Sequence, residues 1–182
     1  MPLCCRGWHR ALLTILILAL PVREARCAPS APVEPAGSDA SLPACFEAAG
    51  ARYRIDPLLL YAIAQVESRL QADAVNHNRN GTVDYGVMQI NSIHLPWLKR
   101  HGIDAQRLLS EPCTTVEVGA SILADMMSRL GYSWDAVGAY NAGAAPGRAA
   151  ARSQYAARVW THYRPLQQAR AQQSRQSDGL KP

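Results

Sequence analysis

One glutamate in this chain is predicted to lie among apolar side chains. Hydrophobic residues recur before it at the spacing of one helix face, at Leu59, Leu60, Ile63 and Val66. Glu67 follows on the same face, where its carboxyl group would be poorly solvated, and poor solvation raises the pKa of a carboxyl group. A glutamate with a raised pKa can act as a general acid near neutral pH. The alternative is a helix-end glutamate whose carboxylate reaches water, and this helix alone does not decide between the two.

A second stretch, GVMQIN at 86–91, combines a glycine, a thioether and two amides. Gly86 would let the backbone approach a ligand closely, and Met88 offers an adaptable apolar contact. Gln89 and Asn91 carry amides that donate and accept hydrogen bonds. These residue types suit the wall of a groove for a polar ligand.

A third stretch, AYNAG at 139–143, places a phenol and an amide at the predicted end of a helix. Tyr140 and Asn141 could face a groove once Gly143 ends the helix. Tyr155 supplies a further phenol on the last predicted helix. A core tyrosine beside a surface asparagine explains this stretch equally well, so each motif alone is a weak indication.

Helix signals around these motifs predict one mainly helical domain. Asp56 and Pro57 supply a cap and a suitable first residue for the helix of the glutamate. Thr114 with Glu117 predicts a capping box, and Ser133 predicts the cap of the next helix. Further helices are expected at 42–53, 92–101, 104–109, 114–130, 133–141 and 153–163, with a small β or irregular segment at 82–90.

The first 28 residues have the pattern of a secretory signal peptide. Arg6 and Arg10 precede an apolar run at 11–20, which is too short to span a bilayer comfortably. An uncleaved N-terminal anchor is the second interpretation. We expect export to the periplasm.

The remaining boundaries follow from composition. Residues 29–40 are rich in proline and small side chains, which is typical of a linker. The domain is predicted at 41–165, because a last helix should end before Pro165. The Gln/Arg/Ser-rich segment 166–182 is predicted to be a disordered tail.

Length and charge limit the fold and the partners. With 182 residues and 48% hydrophobic content, the chain can build one domain with a substantial core. The formal charge is +5, but residues 1–28 contribute +3 of it, because four arginines stand there against one glutamate. The remaining +2 gives no argument for binding nucleic acid, although it suits an anionic polymer. We expect no nucleic-acid partner, and we expect a monomer.

Cysteine usage agrees with export. Only Cys45 and Cys113 lie inside the predicted domain. Two cysteines in an exported domain commonly form a disulfide, which here would join the first helix to the start of the helix at 114–130. The alternative is a pair of buried free thiols.

The run from Asn76 to Asp84 resembles a calcium loop only superficially. Its first ligand position holds Asn76 instead of aspartate, and Val87 stands where a bidentate glutamate belongs. We therefore predict a structured polar loop and no metal site.

Taken together and in this order, the pair Glu67-Ser68 and the stretches 86–91 and 139–143 resemble the three motifs of the lytic transglycosylase domain, which shares its lysozyme-like fold with goose-type lysozyme. The resemblance covers about 45–163. It implies a helical domain with a groove for peptidoglycan glycan strands. The small size, signal peptide and cysteine pair look most like the small transglycosylases that accompany type III secretion, type IV pilus and conjugation machinery.

The resemblance also implies roles for individual residues. Glu67 would be catalytic, Gln89 and Asn91 would bind N-acetyl sugars, and Tyr140 would lie close to the carboxyl group. The other substrate-binding residues expected from the motifs are Ser68, Gly86, Met88, Asn141 and Tyr155.

The implied reaction needs one carboxyl group and neither a metal nor an organic cofactor. Protonated Glu67 would protonate the leaving oxygen of a MurNAc–GlcNAc bond, and the resulting carboxylate would accept the proton of the C6 hydroxyl, which closes a 1,6-anhydro ring. Ordinary glycosidases use two carboxylates, and the nearest candidate for a second is Asp84. A hydrolase of the goose-lysozyme type and a non-catalytic peptidoglycan-binding module therefore remain as alternatives.

Overall fold

The computed structural model describes residues 41–178, and the predicted signal peptide and linker lie outside this part of the chain. The fold is mainly helical with one small sheet, as predicted. Its elements in chain order are α1 (Leu42–Tyr53), α2 (Pro57–Ser68), β1 (Val75–His77), β2 (Val83–Tyr85), β3 (Ile90–Asn91), a 3₁₀ turn (Ser92–His94), α3 (Leu95–Lys99), α4 (Ala105–Ser110), α5 (Pro112–Leu130), α6 (Trp134–Ala142), a second 3₁₀ turn (Pro146–Arg148) and α7 (Ala149–Asp178).

Helix α2 forms as its sequence predicts. The Asp56 side chain accepts a hydrogen bond from the backbone N–H of Leu58 at 3.0 Å, and Pro57 occupies the first turn. The apolar stripe is buried, with Leu60 and Ile63 fully inaccessible to solvent. Arg69 adopts φ 57° and ends the helix directly after Glu67 and Ser68. Helix α2 packs against α1 and α7. Its residues are therefore buried or half-buried, and Glu67 lies in its last turn.

The sheet is antiparallel with the strand order β1-β2-β3. Its register places Asp84 on the central strand, opposite Asn76 on β1 and Asn91 on β3. The predicted β segment at 82–90 was therefore too short, because β1 extends the hairpin back to Val75. Strand pairing thus brings Asn76 of the apparent calcium loop, and Asn91 of β3, beside one carboxylate.

Helix α5 begins earlier than predicted, and the expected capping box is wrong. Pro112 occupies its first turn, which the fixed φ of proline favours. The hydroxyl of Thr114 donates to Glu111 at 2.6 Å, while Glu117 accepts from the hydroxyl of Tyr53 at 2.9 Å. Glu117 therefore joins two helices instead of capping one.

Helix α7 is longer than predicted at both ends. It starts at Ala149 and runs through Pro165 to Asp178, so the predicted end before the proline is wrong and residues 166–178 are helical. The segment after Pro165 is tied to the domain by Arg170, whose guanidinium donates to both oxygens of Asp56 at 2.9 and 2.6 Å. This contact offsets part of the cost of proline inside a helix.

The disulfide prediction is confirmed. Cys45 on α1 and Cys113 on α5 are bonded; their Cα atoms are 4.9 Å apart and their sequence separation is 68. Closing so long a loop limits the unfolded chain and stabilises the fold by at most about 4 kcal/mol. Among residues 41–178 no helix is long and apolar enough to cross a membrane.

Candidate active site

A cleft of about 450 Å³ opens where the end of α2 meets the β1–β2 hairpin and the connection from α6 to α7. Polar side chains dominate its lining, which consists of Glu67, Asn78, Arg79, Asn80, Thr82, Asp84, Asn91, Tyr140, Asn141 and Arg148. The three sequence motifs therefore each contribute to one cavity.

Glu67 combines access to this cleft with an environment that disfavours its charge. Burial of the Glu67 carboxyl group, which removes it from water, raises its pKa from the ordinary 4.5 to about 7. A hydrogen bond from Tyr155 and the charge of Arg158 act in the opposite direction, while the charge of Asp84 raises the pKa further. The carboxyl group can therefore both give and take a proton near neutral pH.

Helix α7 orients this carboxyl group. The hydroxyl of Tyr155, which is only 1% exposed, donates a hydrogen bond to Glu67 Oε1. Arg158, one turn further along α7, places its guanidinium carbon 5.2 Å from the centre of the Tyr155 ring. Sequence reasoning missed Arg158, although its position three residues after Tyr155 puts both on the same helix face.

Tyr140 forms the other side of the site. Its hydroxyl donates to the backbone oxygen of Met88 at 2.8 Å, which ties α6 to the 86–91 stretch. Burial, and then the charges of Glu67 and Asp84, raise the pKa of Tyr140 well above its ordinary value, so the phenol is neutral. Asn141 beside it is exposed and lines the cleft.

Asp84 on β2 is held in the cleft by amide groups from β1, from the β1–β2 turn and from β3. One carboxylate oxygen accepts from Asn91 Nδ2 at 2.6 Å, and the other accepts from Asn78 Nδ2 at 2.8 Å and from Asn76 Nδ2 at 3.4 Å. The site therefore contains a second carboxylate with a fixed orientation, in a more polar environment than that of Glu67.

Two residues expected at the ligand surface contact the protein interior instead. Gly86 has φ 72°, and a Cβ added there would lie 2.5 Å from the backbone oxygen of Leu108. Its close backbone contact is thus with the C-terminal half of α4. Met88 is fully buried and packs against Gly119 of α5, so it cannot contact a sugar in this conformation.

Gln89 and Ser68 are also absent from the lining residues of the cleft. The Gln89 amide nitrogen donates to the backbone oxygens of Gly86 at 2.9 Å and Ala74 at 3.2 Å. The Ser68 hydroxyl donates to the backbone oxygen of Val87 at 2.8 Å. Both side chains therefore hold the 86–89 turn against its surroundings, which the sequence motif alone does not distinguish from sugar binding.

The cleft also contains residues that the sequence did not indicate as a site. Arg79, Asn80 and Thr82 come from the β1–β2 hairpin, and Arg148 comes from the second 3₁₀ turn. The only signal for the first group was the turn composition of the Asn-Arg-Asn-Gly run, which predicts a loop and no particular ligand. The complete site can supply a proton, receive one, and hold a polar ligand between two carboxyl groups.

These features agree with the family to which the chain belongs. Residues 44–163 match the model of the transglycosylase SLT domain, and the chain is a member of this family. The fold and the match together support a lytic transglycosylase.

Two relatives are similar to this chain over about three quarters of their own length. The chain is 52% identical over 122 residues to "Invasion protein IagB" of Salmonella typhimurium, covering 67% of this chain and 76% of the relative. It is 43% identical over 130 residues to a "Peptidoglycan-binding-like protein" of Escherichia coli O157:H7, covering 68% and 78% respectively. An inactive mutant of the lytic transglycosylase Slt from Pseudomonas aeruginosa shares the fold with a TM-score of 0.54 at 22% identity, over 66% of this chain and 23% of that protein.

Proposed function

We propose that this protein is a peptidoglycan lytic transglycosylase that cleaves the MurNAc–GlcNAc β-1,4 bond and forms 1,6-anhydroMurNAc. The observation that carries the proposal is Glu67, a carboxyl group with a pKa of about 7 that lines the cleft and is oriented by Tyr155. Membership of the SLT family supports the same activity.

The proposed reaction uses one carboxyl group twice. Protonated Glu67 donates its proton to the glycosidic oxygen as the bond to C1 of MurNAc breaks, and positive charge develops at C1. The N-acetyl group of the substrate stabilises this carbon. The C6 hydroxyl oxygen then bonds to C1, and its proton passes to the Glu67 carboxylate, which restores the acid. Tyr155 keeps the carboxyl group in one orientation through both steps.

A muramidase is the second candidate, and the position of Asp84 favours it. A fixed carboxylate in the same cleft could stabilise the developing positive charge or direct a water molecule to C1. The transfer of water instead of the C6 hydroxyl would leave a reducing MurNAc end.

Mass spectrometry of products from purified sacculi separates these candidates. A transglycosylase releases muropeptides ending in 1,6-anhydroMurNAc, which are lighter by one water than the reducing-end products of a hydrolase. Reducing ends formed by the wild-type protein would overturn the transglycosylase assignment. The complete absence of turnover in folded protein would favour a binding module.

We further propose that this activity opens the periplasmic cell wall locally for a secretion or pilus apparatus. The similarity to a relative named as an invasion protein supports this role. Cells lacking the protein should assemble fewer such machines, and wild-type protein should restore assembly where Glu67→Gln does not. Restoration by both proteins would show that cleavage is not needed.

A further inference from the structure

Two arginines at the cleft have no role in the reaction described above. Arg79 lies in the turn between β1 and β2, and Arg148 ends the 3₁₀ turn before α7. Both are exposed, and within residues 41–178 neither forms an ion pair with a carboxylate. The cation that acts on Glu67 is Arg158, so these two guanidinium groups are not its counter-charges.

The backbone around both arginines is held in place. In the hairpin turn, the N–H of Asn78 donates to the backbone oxygen of Thr82 at 2.8 Å, and the N–H of Gly81 donates to that of Asn78 at 3.0 Å. The backbone N–H of Arg148 donates to the backbone oxygen of Ala145 at 3.0 Å, and its side-chain Nε donates to the backbone oxygen of Ala142 at 3.1 Å. Its two terminal nitrogens make no hydrogen bond among the described residues, so the planar fork that binds carboxylates remains available.

The charge of the cleft makes such cations useful for an anionic ligand. Asp84 lies in the cleft, and a second unit charge of the same sign about 4 Å away would be repelled by roughly 1–4 kcal/mol near a protein surface. A glycan whose substituents carry carboxylates would be repelled by Asp84 when it binds in the cleft. Arginines on two separate elements at the same cleft supply the compensating charge.

We propose that Arg79 and Arg148 bind carboxylates carried by the MurNAc residues of the glycan, which makes the cleft selective for anionic strands over neutral ones. This inference rests on the proposed function, because it concerns the ligand of the same cleft. Two sources share the chemistry: the lactyl carboxylate of a strand without peptides, and the carboxylates of attached stem peptides.

The test compares native and neutralised strands. Four substrates are prepared. Two are native: peptide-bearing glycan, and glycan freed of peptides by an amidase. The other two are the same glycans after carbodiimide coupling to ammonia has converted their carboxylates to amides. Arg79→Gln and Arg148→Gln should each lower kcat/KM on native strands by about two- to fivefold, mainly through KM, as expected for solvent-exposed ion pairs. On amidated strands the variants and the wild type should have the same kcat/KM.

Arg164→Gln is the matched control. Arg164 is exposed on α7, forms no ion pair within residues 41–178 and does not line the cleft, so this variant removes the same charge elsewhere. A loss that appears with peptide-free strands identifies the lactyl carboxylate, and a loss confined to peptide-bearing strands identifies the stem peptide. Equal losses on native and amidated strands, or a loss in Arg164→Gln of the same size, would overturn the proposal.

Binding measurements separate this proposal from the proposed activity. Equilibrium titrations in a Glu67→Gln background should show tighter binding of native than amidated strands, and the preference should shrink at high salt and in the two cleft variants. If the preference is found while wild-type protein cleaves nothing, the proposed activity fails and the charge selectivity stands. If wild-type protein cleaves the glycan but binds native and amidated strands equally, the proposed activity stands and the charge selectivity fails.

Discussion

The hairpin wall of the cleft and the turn behind it use similar residue types in opposite ways. In the hairpin wall, formed by Asn78, Thr82, Asp84 and Asn91, polar side chains bond to one another and still line the cavity. In the 86–89 turn, the glycine, thioether and amide all contact the protein itself. An amide or a glycine in a motif therefore indicates a ligand site only when its hydrogen-bonding groups, or the space beside it, are left for a ligand.

Glu67, on which the proposed reaction depends, should give the largest effect when it is replaced. Glu67→Gln removes both the transferable proton and the returning base, so turnover on sacculi should fall by at least about a thousandfold. Release of soluble muropeptides measures this loss. Near-native turnover would refute the proposed mechanism.

The same variant should be more stable than wild type at alkaline pH. The pKa of Glu67 is raised in the folded state from 4.5 to about 7, so stability falls as pH rises between these values. Above pH 7 a buried carboxylate is penalised and an amide is not. We expect Glu67→Gln to gain on the order of 1–3 kcal/mol in unfolding free energy at pH 8 and almost nothing at pH 4. A gain of the same size at both pH values would show that burial of charge is not its cause.

A substitution in the 86–89 turn should lower the stability of the protein. Gly86→Ala would force a Cβ to within 2.5 Å of the Leu108 oxygen at a positive φ, and we expect it to lose at least about 3 kcal/mol in urea unfolding. Gly81→Ala is the matched control in the hairpin: its φ is also positive, at 82°, but no atom lies within 4 Å of the added Cβ. It should lose only about 1 kcal/mol. Equal losses would mean that φ alone, and no close packing, constrains Gly86.

Local chemistry made parts of the fold predictable. The caps at Asp56 and Ser133 and the apolar stripe of α2 are encoded within a few residues, and all three form as expected. The end of α7 was not predictable, because the Arg170–Asp56 ion pair joins residues 114 positions apart. A proline rule that considers only neighbours cannot include such a contact.

In the candidate site, too, local features were predictable from the sequence and features that depend on distant contacts were not. The raised pKa of Glu67 follows from its position on an apolar helix face, which the sequence displays. The inward orientation of Met88 and Gln89 depends on α5 and on Ala74, neither of which is near them in sequence. The residue types indicated which stretch of the chain forms the site. Tertiary contacts determine which side chains of that stretch reach the cleft.

A pair of amide variants sharpens the contrast between the two regions. Gln89→Ala removes donors to two backbone oxygens and should cost about 1–2 kcal/mol of stability. Asn141→Ala changes an exposed amide at the cleft and should leave the unfolding free energy within about 0.5 kcal/mol while raising KM. Urea titrations and steady-state kinetics on soluble glycan give both values. The opposite pattern would support the predicted substrate-binding role of Gln89 and would count against that of Asn141.

The last expected effect is the most specific, because it concerns one hydrogen bond to the Glu67 carboxyl group. Tyr155 donates to Glu67 and thereby lowers the pKa of its carboxyl group, against the larger effect of burial that brings the pKa to about 7. Tyr155→Phe keeps the ring beside Arg158 and removes only this donor. The ionised form of Glu67 loses a stabilising bond, so its pKa should rise, and the acid should stay protonated to higher pH. Since the alkaline limb of kcat/KM reports the free enzyme's acid, that limb should move from about pH 7 to a higher pH, while the plateau rate falls by less than about tenfold. A limb that stays in place, or moves to lower pH, would show that the Tyr155 hydroxyl does not set the proton affinity of Glu67.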